Sequence, residues 1–181
     1  MQLFGEQSAP LIGIDISSAA VKVLQLSQTA GRIRFEHYGV EPLPPNSVNE
    51  KNITQIEVVG AAIKRAVAKS GSKSKYAAVA VSGSSVITKV ITVTGGLDEV
   101  TMEQQVFDEA SNHIPYQMDE VSLDFEELGT IPNTDSVQVM IAAARTENVE
   151  ARQAALEYAG LTAKVVDVEV FAVENAFKLI S

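Results

Sequence analysis

A carboxylate and a pair of hydroxyls stand together in Leu11-Ile12-Gly13-Ile14-Asp15-Ile16-Ser17-Ser18-Ala19-Ala20-Val21-Lys22-Val23-Leu24. Apolar runs on both sides read as two strands, with Asp15 at the end of the first, where a strand delivers side chains to the edge of a sheet. The short Ser17-Ser18-Ala19-Ala20 connection lets backbone N–H groups point at an anion, so the layout could hold a phosphate or a metal ion. The same residues also make an ordinary hairpin with serines at its tip.

The elements that must position these groups follow along the chain. Gly31 to Val40 alternates as a third strand of a meander, which Pro42, Pro44 and Pro45 stop. Ile56, Val59, Gly60, Ile63 and Val67 share a helical face, with Gly71 just past the last turn. Tyr76-Ala77-Ala78-Val79-Ala80-Val81 is wholly apolar and suits a central parallel strand.

The next segment has its own complete pattern. Val86 to Val93 alternates as a strand that Gly95-Gly96 ends. Thr101-Met102-Glu103-Gln104 has the spacing of a capping box, and Val106, Phe107, Ala110 and Ile114 make a helical stripe ahead of Pro115. Val121, Leu123 and Phe125 give a half-buried strand, and Val137, Val139 and Ile141 another beyond the Pro132 to Asp135 turn.

A helix from about Glu147 to Ala159, a strand Ala163 to Val168 and a last helical segment Val170 to Ile180 close the chain. With the strand-helix-strand-strand segment lifted out, the order is three strands, helix, strand, helix, strand, helix. That is the order of a ribonuclease H-like α/β fold, expected over residues 1–83 and 146–181, with an α+β module inserted at 84–145.

Composition bounds the function. The 181 residues are 46% hydrophobic and 20% charged, enough for a sizeable core. No apolar run reaches the length of a membrane span, and Met1-Gln2-Leu3-Phe4-Gly5-Glu6-Gln7 lacks the pattern of a signal peptide. A cytoplasmic protein is expected. The absence of Cys excludes disulfides, thiolate zinc sites and a Cys nucleophile, and two His leave little for a His-based metal site. Fourteen Lys plus Arg against 23 Asp plus Glu give a net charge of −9, which disfavours nucleic acid as a partner.

Metal nucleases and phosphotransfer-type ATPases both use this architecture, so fold alone does not choose between them. A nuclease needs several carboxylates converging on two metal ions. Asp15 and Asp167 are suitably placed at strand ends, but the fourth strand runs into Ser82-Gly83 where a third carboxylate is wanted. A metal role for Asp167 stands beside the plainer reading, a polar residue closing a strand.

The segment Ile12 to Lys22 resembles the first phosphate motif of the actin, FtsA and Hsp70 superfamily. Val81-Ser82-Gly83-Ser84-Ser85-Val86-Ile87-Thr88-Lys89, His113-Ile114-Pro115-Tyr116 with Val121 to Phe125, and Val166 to Phe177 are similar to one FtsA-like branch, the PilM family of type IV pilus assembly proteins. The resemblance implies a ribonuclease H-like subdomain 1A and an SHS2-like subdomain 1C. It implies that Ser17, Ser18 and Lys22 face the phosphates of ATP and that Asp15 orients Mg through water. The implied partner is the N-terminal cytoplasmic tail of the inner-membrane protein PilN, bound as a peptide between 1A and 1C and linking the chain to the PilN/PilO complex at the inner membrane. The segment Ser82 to Val93 is the favoured peptide-binding stretch, by backbone pairing and apolar pockets.

Against that family the chain is expected to be an N-terminal half, an adaptor with an incomplete ATP cleft and no catalytic residue of its own. The alternative is an ATPase completed by a second half or by dimerisation. The apolar residues around Val170 to Ile180 make self-association a further expectation.

Overall fold

A computed structural model describes residues 11–29 and 31–180. The opening residues Met1 to Gln7, read above for a signal peptide, lie outside them. The fold is a mixed α/β architecture, with four α-helices among the described residues. The chain divides into two compact units, one running to Ala80 and resuming at Glu150, the other Val81–Val149.

In the first unit, β1 (Leu11–Ile16), β2 (Ala20–Thr29), β3 (Arg32–Pro42), β6 (Tyr76–Val81) and β10 (Thr162–Val168) form a five-stranded sheet in the order β10-β6-β1-β2-β3. The meander is antiparallel, and β6 pairs parallel to β1 in a central place, as its apolar run requires. Alternation decides the faces. Ile12, Ile14, Ile16, Val21 and Val23 are buried in one core with Val59, Ala62, Ile63 and Ala66 of α1 (Ile56–Ser70) and Ala155 and Leu156 of α3 (Thr146–Tyr158). Leu11, Gly13, Asp15 and Lys22 therefore stand on the opposite, exposed face.

Two glycines set how closely this unit packs. A Cβ on Gly39 of β3 would collide with the Ala66 carbonyl of α1, and one on Gly60 of α1 would lie 2.7 Å from the Tyr158 Cβ and 2.9 Å from the Ala155 carbonyl of α3. A small hairpin absent from the sequence reading, β4 (Val48–Asn49) and β5 (Asn52–Ile53), precedes α1. Strand β3 also runs on through Pro42, beyond the expected stop, because a proline costs nothing at the last position of an edge strand.

In the second unit, β7 (Val86–Thr94), α2 (Glu99–Ser111), β8 (Val121–Thr130) and β9 (Ser136–Arg145) form a three-stranded antiparallel sheet, order β7-β9-β8, carrying one helix. Ile91, Val93, Val137, Val139 and Ile141 pack with Met102, Val106, Ala110 and Ile114. Two details differ from the pattern expected. The helix begins before Thr101: Asp98 is the cap, its carboxylate accepting from the Thr101 N–H at 3.1 Å and the Thr101 hydroxyl at 2.7 Å. The buried stripe is Met102, Val106 and Ala110 at i, i+4 and i+8, and Phe107, one step of about 100° round from Val106, is 43% exposed.

Candidate functional site

The antiparallel register of β1 and β2 sets Asp15 directly opposite Lys22. The Lys22 ammonium donates to Asp15 Oδ2 at 2.8 Å across the exposed face of the sheet. That hydrogen bond, and then the negative charge itself, raises the Lys22 pKa above its ordinary value. The pair sits in the wall of a cavity of about 780 Å³, within the range of small-molecule sites.

The sheet supplies Gly13, Asp15, Lys22, Ala78 and Val165 to this cavity, and α4 (Glu169–Ile180) borders it with Ala172, Val173 and Ala176. Asp167, at the end of β10, also lines it and accepts the Val168 N–H at 2.7 Å, which ties the carboxylate to the strand-to-helix junction. Asp15, Lys22 and Asp167 thus come together in one cavity. Ser17 and Ser18 do not line it. The Ser17 hydroxyl donates to the Ala20 carbonyl at 2.9 Å and accepts its N–H at 3.2 Å, so it closes the β1–β2 turn, while Ser18 is exposed beside it.

Two lining residues, Lys51 and Glu169, carried no sequence signal. Lys51 lies in the β4–β5 turn, and its ammonium reaches Glu169 Oε2 of α4 at 3.3 Å. Beneath them Arg152 of α3 is only 3% exposed and donates to the carbonyls of Ala80, at 2.7 Å, and Lys51, at 2.9 Å. Burial lowers the Arg152 pKa, and the negative charge of Glu169 works the other way. A 15-residue helix and 118 positions of chain separate the members of this group from one another in ways that no local periodicity records.

The donor set decides which ligands fit. Among the described residues no three His, Cys, Asp or Glu side chains converge to hold a metal ion. A magnesium ion carried in on a phosphate chain would need no cage of three protein ligands: Asp15 and Asp167 could meet it from the sheet, Lys22 could offer the phosphates a charge, and apolar Val165, Ala172 and Val173 could offer a flat group a wall.

In the second unit β7 is an edge strand, so the segment Ser82 to Val93 ends in a strand with a single neighbour, β9. Before it, residues Gly83–Ser85 make one tight turn in which the Ser82 and Ser84 hydroxyls lie 3.0 Å apart. Val90 of this strand is 47% exposed. An edge of this kind pairs with an added extended chain through its backbone.

On α4, Val170, Val173, Phe177 and Leu179 are all more than half exposed. No helix of the described residues is long and apolar enough to cross a membrane.

The model of a family described as type IV pilus assembly protein PilM matches residues 13–181. Among solved structures, a chain of a PilM–PilN type IV pilus biogenesis complex is similar, with a TM-score of 0.83 and 30% identity over 93% of this chain and 50% of that one. The cytoplasmic domain of EpsL, an inner-membrane component of the type II secretion system of Vibrio cholerae, shares the fold alone. Its TM-score is 0.56, with 13% identity over 91% of this chain and 59% of that one. The chain thus spans about half the length of the PilM–PilN chain it matches.

Proposed function

The chain belongs to the PilM family of type IV pilus assembly proteins, and from that premise we propose that it is a cytoplasmic adaptor of pilus assembly that binds the N-terminal tail of PilN. The observation that carries this reading is the 0.83 TM-score, at 30% identity, to a chain from a complex with PilN. The sheet order β10-β6-β1-β2-β3 supports the ribonuclease H-like, 1A-type reading of the first unit, and the β7-α2-β8-β9 succession supports the SHS2-like, 1C-type reading of the second. The exposed edge of β7 is the surface we assign to the peptide, because backbone pairing binds an extended tail without demanding a deep pocket.

Titration of a synthetic PilN-tail peptide into the isotope-labelled chain tests this directly. Binding should move the amide signals of Val86–Thr94 more than those of β1 or β6. A peptide that leaves every signal in place at millimolar concentration sinks the adaptor reading, and shifts confined to the first unit sink the assignment to β7.

The cavity at Asp15 and Lys22 supports a second component, an incomplete ATP cleft. Lys22 would meet the phosphates, and Asp15 would hold magnesium through water. When bound, magnesium would offset the phosphate charge. The chain's own part is to present one cation and two carboxylates, Asp15 and Asp167, from a rigid sheet.

A further inference from the structure

The β4–β5 hairpin turns on two residues, Glu50 and Lys51, with φ of 47° and 72°. A two-residue turn with both residues left-handed favours Asn-Gly, because side chains are strained there. Here a glutamate and a lysine occupy it, and the fold holds them in place. Buried Arg152 grips the Lys51 carbonyl at 2.9 Å and the Ala80 carbonyl at 2.7 Å, fastening the turn to the end of β6. The result is a lysine with a fixed backbone whose side chain lines the same cavity as Lys22.

Its visible partner does not account for this arrangement. The contact to Glu169 is 3.3 Å, with the two side chains 53% and 34% exposed. Such a pair contributes little, because water and salt screen it. A strained turn clamped by a buried guanidinium is a large structural commitment for so weak a contact. It is a reasonable one for a cation that must be pre-positioned toward a strong anion.

We propose that Lys51 is a second phosphate-binding cation of this cavity, and that a magnesium–polyphosphate ligand takes it from Glu169, releasing the first turn of α4 from the hairpin. This rests on reading the cavity as a phosphate cleft. The charges in the wall select the ligand's form. Asp15, Asp167 and Glu169 outnumber Lys22 and Lys51, so a bare polyanion is repelled while its magnesium complex is matched. A polyphosphate offers several charged oxygens where Glu169 offers one carboxylate, so it competes successfully for the ammonium. Glu169 is the first residue of α4, so the exchange is felt by that helix.

The experiment titrates magnesium tripolyphosphate and magnesium ATP, separately, into the wild-type chain and into Lys51→Met, Lys51→Arg and Lys64→Met. Heat of binding and amide hydrogen exchange are both followed. Lys64 is exposed on α1 and outside the cavity lining, so its variant controls for net charge. Lys51→Met should weaken both ligands by about tenfold or more, the effect of losing one charge-assisted contact. Lys51→Arg should keep most of the affinity and Lys64→Met all of it. In the wild type, ligand should speed exchange of the hydrogen-bonded amides just past the first turn of α4 and slow it in the hairpin, and neither change should appear in Lys51→Met. Similar affinities for the two probes identify the phosphate chain as what is recognised, and much tighter ATP binding adds a contact to the nucleoside. Equal binding by wild type and Lys51→Met overturns the role of Lys51 and leaves the phosphate cleft standing. No binding of either probe by the wild type overturns both.

Discussion

The two units use a sheet differently. The first buries one face of five strands beneath α1 and α3 and keeps charged side chains on the other, where Asp15, Lys22 and Asp167 share a cavity. The second covers three strands with a single helix and offers the backbone edge of β7. The first unit thus gathers charged side chains on a sheet face, and the second leaves β7 with a single strand neighbour, the kind of edge to which an extended chain can add. Core, packing and titration each give a way to break that contrast.

The largest effect should come from emptying one core at a time. Leu156 and Ile141 are both fully buried, one in each unit. Truncation to Ala removes apolar contact and leaves a cavity, at about 3 kcal/mol in either case. Amide exchange separates the outcomes. Ile141→Ala should accelerate β7, β8, β9 and α2 while β1 and β6 stay protected, and Leu156→Ala should do the reverse. Uniform acceleration by either variant would show a single cooperative core and remove the contrast.

A smaller effect is expected where α1 meets α3. Gly60→Ala places a methyl 2.7 Å from the Tyr158 Cβ and 2.9 Å from a backbone oxygen, and backbone yields less readily than a side chain. Overpacking should cost about 2 kcal/mol by denaturant unfolding, confined to the first unit. Although Ala is the better helix former, a stabilised variant would mean that the helices separate without penalty.

These groups were not equally legible in the sequence. The parity of Ile12, Ile14 and Ile16 against Gly13 and Asp15 is a local, period-two signal, so the face carrying Asp15 could be read directly. The apolar run at Tyr76 likewise announced a central strand, and Gly71 and Gly160, both left-handed, announced helix ends. The β4–β5 hairpin could not be read, since two-residue strands have no period and Glu50-Lys51 is not a usual turn pair. With it went Lys51, and Glu169 and Arg152 were equally hidden because only tertiary packing brings them together. The α2 cap lies three residues before the Thr101 that the spacing suggests, since Asp98 and Thr101 are both capping types and the choice between them depends on backbone geometry.

The smallest expected effect is a titration that distinguishes the units by different carboxylates. In the first, Glu41 pairs with Lys69 and Arg65, both at 2.6 Å, and those hydrogen bonds depress its pKa below the ordinary 4.5. In the second, Asp98 is depressed below 3.8 by the Thr101 hydroxyl and then by the Thr101 N–H. A carboxylate depressed in the folded state adds stability that is fully present above its unfolded pKa and is lost as pH falls through the folded one. Each unit should therefore weaken in acid, the first from about pH 4.5 downward and the second from about pH 3.8. Asp98→Asn keeps a capping oxygen, so stability at pH 7 should hardly change, while the acid slope of the second unit flattens. Glu41→Gln should flatten the slope of the first unit and leave the second steep, because its two cations lie in the first unit only. Exchange-detected stability of each unit between pH 3 and pH 7 measures both slopes. A variant that flattens the two slopes together would show that the acid response belongs to the whole chain and not to the unit that carries the carboxylate.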